Sequence, residues 1–258
     1  MRASLRGACA WACAAVMVHA LLVRAETPSC QALLDSGDAA YARFDNATAL
    51  QRFSRAAGEC PDRYDAVMKT ARAFIDAGED MYSRKSETLY VEGLRYADTL
   101  LRRYPDSGQS YFLTAVAAAN IAQIKKGMQR IPLARIIDSN ILTSIAKAPE
   151  FAPAYVVLGV YCREVAEASS FLRTLVGIFY GWVPQGTLAE SERSLLKATG
   201  LAPQNVYANL ELARTYVAMG RKKKAIDILE RMPTFPRAWH QDDTLQAEGR
   251  RLMARLKR

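Results

Sequence analysis

Few side chains in this 258-residue chain have both the type and the spacing for chemistry. Beyond residue 25 the one histidine is His240, near the start of the last helical pattern, where it reads as a surface or capping residue. Asp242-Asp243 follows it, and two acids in a first turn complement the helix macrodipole. There is no His-Glu-x-x-His, no paired Cys-x-x-Cys, no glycine-rich phosphate loop and no nucleophile elbow. We therefore expect no catalytic residue, no metal site, no cofactor and no enzyme. Lys222-Lys223-Lys224 reads as a solvated face, balanced by Asp227 and Glu230 on the next turn. Arg72, Arg163 and Arg214 are the more specific cations. An arginine fork can bind a carboxylate or an acidic peptide. The local alternative is pairing with Glu164, Glu167 or Glu211.

Those residues need elements to hold them. From Leu33 onward apolar residues recur three and four apart, the helical period, with no alternating strand pattern. Pro61, Pro105, Pro132, Pro149, Pro203 and Pro233 fall between the helical blocks, where proline punctuates helices. The blocks pair into hairpins: 28–44 with 47–58, 62–78 with 86–104, 108–126 with 132–147, and 153–168 with 188–200. A fifth hairpin turns at Gly220, between Leu212-Ala213-x₂-Tyr216 and Ala225-x₃-Leu229. A last helix, 240–256, covers the open end, since terminal repeats need a polar cap. Asn46-Ala47-Thr48 is a formal glycosylation acceptor, read here as turn chemistry at a helix start.

The stretch 154–203 is the most informative. Tyr155-x₂-Leu158-Gly159-x₂-Cys162, followed by a back helix ending at Pro203, resembles a tetratricopeptide repeat. Ala49, Phe53, Ala56 and Pro61 match the second half of the same repeat. The fold class expected is all-α: a tetratricopeptide-like right-handed solenoid of about five hairpins with a C-terminal capping helix. Within 154–203 lies an insert, 171–183, carrying Phe171, Phe179, Tyr180 and Trp182 with a single charge, Arg173. So apolar a segment must bury surface. It either folds back as extra core or walls an apolar groove with Phe112, Tyr155 and Tyr207, with Arg163 and Arg214 at its polar margin.

The N-terminus carries a different signal. Arg2 and Arg6 precede an alanine-rich apolar run, and Val23-Arg24-Ala25 offers small residues for cleavage. This is a secretory pattern, so residues 1–25 are read as a signal peptide and 26–258 as the mature domain. Cleavage near Ala25 removes three arginines and no acid, lowering the formal charge from +9 to +6. No dense basic stripe with interleaved aromatics is present, so nucleic acid is not an expected partner. Export favours oxidised thiols. Cys30 and Cys60 lie at neighbouring ends of one hairpin, and form either a disulfide or two free buried thiols. Cys162, in an apolar helix, reads as a small core residue.

Leu158-Gly159-Val160-Tyr161-Cys162-Arg163-Glu164-Val165-Ala166 resembles the regulator of microtubule dynamics family, whose members are tetratricopeptide-like. Phe179, Gly181 and Pro184 keep the skeleton of that family's Phe-Gly-x-Pro turn with an extra residue, whereas Leu172 stands where its acid is expected. The chain is also similar to the T component of tripartite ATP-independent periplasmic transporters, exported helical-hairpin proteins that associate with a ligand-binding partner. The secretory pattern favours the second comparison and argues against contact with tubulin. Together these features lead us to expect an exported, periplasmic, non-catalytic scaffold that binds a protein partner. Its mature chain would not span a membrane. The competing expectation is a carrier of a hydrophobic small molecule.

Overall fold

The computed structural model describes residues 29–81, 85–169 and 176–258. The expected signal peptide, Phe171 and Arg173 lie outside them. The described residues form helices and loops without a strand. In chain order these are α1 (Cys30–Tyr41), α2 (Asn46–Glu59), α3 (Tyr64–Met81), α4 (Lys85–Arg103), α5 (Gly108–Ile124), α6 (Arg130–Lys147), α7 (Ala152–Glu167), α8 (Leu188–Leu201), α9 (Val206–Ala218), α10 (Lys222–Arg231) and α11 (Asp242–Leu256). Each odd-numbered helix up to α9 pairs with the helix after it, giving five hairpins, and α11 packs on α9 and α10. The chain is a helical-repeat solenoid. No described helix is long and apolar enough to cross a membrane.

Local chemistry explains where the helices begin and end. Ser29, Asp45, Thr187 and Asn205 each accept a hydrogen bond from a backbone N–H three residues on, capping α1, α2, α8 and α9. The Glu190 side chain also accepts from the Thr187 hydroxyl at 2.8 Å, which holds the cap in place. At the end of α9, Gly220 has φ +71°, and the amides of Gly220 and Arg221 return to the carbonyls of Val217 and Tyr216. That is a Schellman turn, which an L side chain would strain.

Within each hairpin small residues let the helices approach. A Cβ added at Gly159 would lie 2.5 Å from Cγ of Leu195 on α8. Gly37 meets Phe53 in the same way, and Gly78 meets Tyr90. Ala154 and Ala213 are fully buried on front helices, and Ala56, Ala198 and Ala225 on back helices. Cys30 and Cys60 are joined by a disulfide with Cα atoms 6.3 Å apart, closing the first hairpin at its open end.

Helices α3, α5, α7 and α9 touch in succession and form the inner layer. The segment before α11 then turns back across this layer. Arg237 stacks over Phe44, 4.3 Å from the ring centroid, and His240 reaches Asp80 on α3, 160 residues earlier. The two ends of the solenoid are thereby in contact. The last helix begins at Asp242 rather than at His240. The reason lies in the Asp242 carboxylate, which accepts from the amides of Ala238 and Trp239, both at 2.8 Å, and folds 238–241 into a loop.

Candidate functional site: a cavity inside the solenoid

The inner layer lines a partly open cavity of about 840 Å³. Its apolar wall includes Phe112 and Val116 from α5, Val157 and Val160 from α7, Tyr207 from α9, and Trp239 from the returning loop. Phe112 packs edge-on against Phe151 at 4.9 Å, and Tyr207 contacts Trp239 at 6.1 Å. The Tyr161 hydroxyl sits buried in this wall without a hydrogen-bond partner. Burial raises its pKa, so it stays a neutral donor. A polar atom left over in an apolar wall marks where a bound group can be oriented.

One end of the cavity is acidic. Arg72, Asp76 and Glu79 of α3 line it. Asp76 accepts from the Tyr41 hydroxyl at 2.6 Å and lies 3.5 Å from Arg72. Burial, with Glu79 adding to it and Arg72 opposing, pushes the Asp76 pKa up to about 6. Asn120 on α5 donates to Glu79 Oε1 at 2.9 Å, and Asn46 on α2 donates to Asp80 Oδ2 at 2.8 Å. His240 is not the surface or capping residue that its sequence position suggested. Its side chain is 4% exposed, with Nδ1 at 2.7 Å from Asp80. Burial works against charge on the imidazole, while Glu79, Asp76 and Asp80 draw its pKa up. Helical periodicity reports neighbours within one helix, so no sequence signal links His240 to α3.

The structure separates the residues grouped by the sequence reading. Phe112 and Tyr207 line the cavity, and so do Val176 from the insert and Pro184 just after it. Tyr155 lies elsewhere on α7, donating to the Pro149 carbonyl with Lys197 above its ring. Phe179 is 71% exposed on a helical turn formed by 176–180, beside exposed Ile178 and Tyr180. Trp182 is half-buried but does not line the cavity. Arg163 and Arg214 meet on one acid and are not among the residues that line the cavity. Glu211, 1% exposed, bonds Arg163 at 2.5 Å through one oxygen and Arg214 through the other. Burial pushes the Glu211 pKa up and the two arginines pull against it. Arg214 continues to Glu248 on α11 at 2.5 Å, so the chain of charges ties α7, α9 and α11 together. Cys162 is buried with its thiol pushed up to about 11, chiefly by desolvation, which leaves it a poor nucleophile.

Comparison with known proteins follows the same architecture. The chain is 23% identical over 199 residues to human (Homo sapiens) Regulator of microtubule dynamics protein 2, covering 76% of this chain and 48% of that protein. It is 24% identical over 196 residues to Regulator of microtubule dynamics protein 1 of Mus musculus, covering 74% of this chain and 64% of that protein. It thus spans about half to two-thirds of the length of these relatives. Among solved structures it resembles TTC0263, a thermophilic TPR protein of Thermus thermophilus. The TM-score is 0.63 at 20% identity, over 86% of this chain and 98% of that one. That likeness shows the fold alone. The family model described as Regulator of microtubule dynamics protein 1-3 matches residues 33–257, and the chain belongs to that family.

Proposed function

We propose that this protein is a non-catalytic scaffold that binds an apolar segment of a protein partner in the cavity of its inner layer. The observation that carries the proposal is the convergence of four successive front helices on one apolar space of about 840 Å³. Repeat proteins bind along such inner surfaces, and this volume suits a few side chains of a peptide. The tetratricopeptide fold supports a protein-interaction role. We place the protein outside the cytoplasm. The Cys30–Cys60 disulfide supports that placement, as does the secretory pattern before Glu26. An exported chain would not meet microtubules, so the activity named for its relatives is not carried over. A periplasmic transport or envelope assembly is the setting this reading fits.

A second reading, a carrier for a hydrophobic small molecule, is favoured by the loop 237–240, which crosses the inner layer. Native mass spectrometry of protein purified from its own host separates the two. A copurified polypeptide that is lost on Val160→Glu supports the scaffold. A small apolar adduct lost on the same substitution supports the carrier. Retention of either adduct by the variant rejects the cavity as the binding site. N-terminal sequencing tests the placement: a mature form beginning at Glu26 is expected, and a cytoplasmic form retaining Met1 overturns it.

A further inference from the structure

We propose that Asp76, Glu79 and His240 form a site for one divalent transition-metal ion of the zinc type, which ties α3 to the loop before α11. One donor atom from each residue lies within 4.8 Å of the others. Asp76 and Glu79 are three residues apart on α3, so they share a helix face. His240 closes the set from the other end of the chain.

The state of His240 points to a ligand. Its side chain is 4% exposed, yet Nε2 has no hydrogen-bond partner. The atom opposite, Glu79 Oε2, is also buried and also without one. They stand 3.4 Å apart. Ligands held at about 2.0–2.1 Å from a tetrahedral zinc ion are separated by about 3.3–3.4 Å. The spacing is thus that of two donors on one ion. The outer contacts agree. A metal-bound histidine usually gives its other N–H to a carboxylate, which fixes the tautomer and aims the free lone pair at the metal. Here Nδ1 meets Asp80 at 2.7 Å, so an imidazole that gives its Nδ1–H to Asp80 and releases the other proton to a metal presents Nε2 as the lone-pair nitrogen. Each acid is itself held by a donor from another helix: Asp80 by Asn46, Glu79 by Asn120 and Asp76 by Tyr41.

Charge balance favours a dication. Three carboxylates, Asp76, Glu79 and Asp80, surround the imidazole, which is neutral when it binds a metal, with Arg72 against Asp76. One guanidinium and one divalent ion bring the group to neutrality. One imidazole with two carboxylates suits zinc better than magnesium, which prefers an all-oxygen octahedron.

Isothermal titration of zinc into the full chain, stripped with chelator and with any affinity tag removed, tests the site. One equivalent is expected, and magnesium should not displace it. Glu79→Gln, which keeps the Asn120 contact, should weaken zinc at least 100-fold. Asp80→Ala, which touches no metal, should weaken it about 10–100-fold through loss of the outer contact. Unchanged zinc affinity in Glu79→Gln, or no uptake by the wild type, overturns the proposal. X-ray absorption on the zinc-loaded wild type gives a reading independent of variants. A shell of light atoms with a single imidazole is expected, and sulfur at about 2.3 Å refutes the assignment.

Discussion

At the residue scale, Glu211 governs the middle of the molecule. It is nearly inaccessible and accepts from two arginines on two helices. Replacing one partner of a buried charge network leaves the others uncompensated, at a cost of about 3–5 kcal/mol. Glu211→Ala should therefore lower the unfolding free energy by that amount, measured by urea denaturation. Glu211→Gln should cost less, because its amide oxygen still accepts. A loss under about 1 kcal/mol for the alanine variant, the range of an exposed pair, would show that the arginines find solvent instead. Sequence reading identifies Arg163, Arg214 and Glu211 as candidates for one another but also offers a ligand. Two guanidiniums on neighbouring front helices look the same in sequence whether they flank a groove or a buried acid. What decides is the burial of Glu211, which follows from how α7 and α9 pack.

At the element scale, the hairpins are legible because their signals are local. Prolines end them, Asp45, Thr187 and Asn205 start them, and Gly159 beneath Leu195 marks a crossing. The first hairpin carries the added covalent tie. The disulfide spans a sequence separation of 30, and a loop of that size is worth about 3–4 kcal/mol in the chain-entropy model. Cys30→Ser with Cys60→Ser should destabilise the chain by about that much. The check is chemical denaturation of the variant against the oxidised wild type. The insert is less legible, since apolar composition demands burial without saying which residues achieve it. Val176 and Pro184 are buried, while Ile178, Phe179 and Tyr180 face outward. Phe179→Ser should consequently change stability by less than about 0.5 kcal/mol, as for other exposed positions. A loss of several kcal/mol in thermal or urea unfolding would mean that Phe179 belongs to the core.

At the scale of the whole molecule, the contact between the ends lies beyond any sequence pattern. Phe44, Asp80, Arg237 and His240 belong to segments that share no motif and meet only when five hairpins have curved fully round. Arg237→Ala removes the stacking on Phe44, and the cavity should open on that side. Small-angle scattering should then show a larger radius of gyration, and limited proteolysis should cut first at 235–241. An unchanged profile in both would assign the closure to His240 alone. The same contact changes how the protein comes apart. In a linear array each repeat leans only on its neighbours, so the terminal repeats fray independently and unfolding runs inward from either end. Joining the first hairpins to the segment before α11 removes the free ends: α2 and α3 cannot peel away without also releasing the loop before α11. Amide exchange in the outermost hairpins should then proceed by the same opening as exchange in the centre, so that a molecule assembled from repeats loses its structure as one unit.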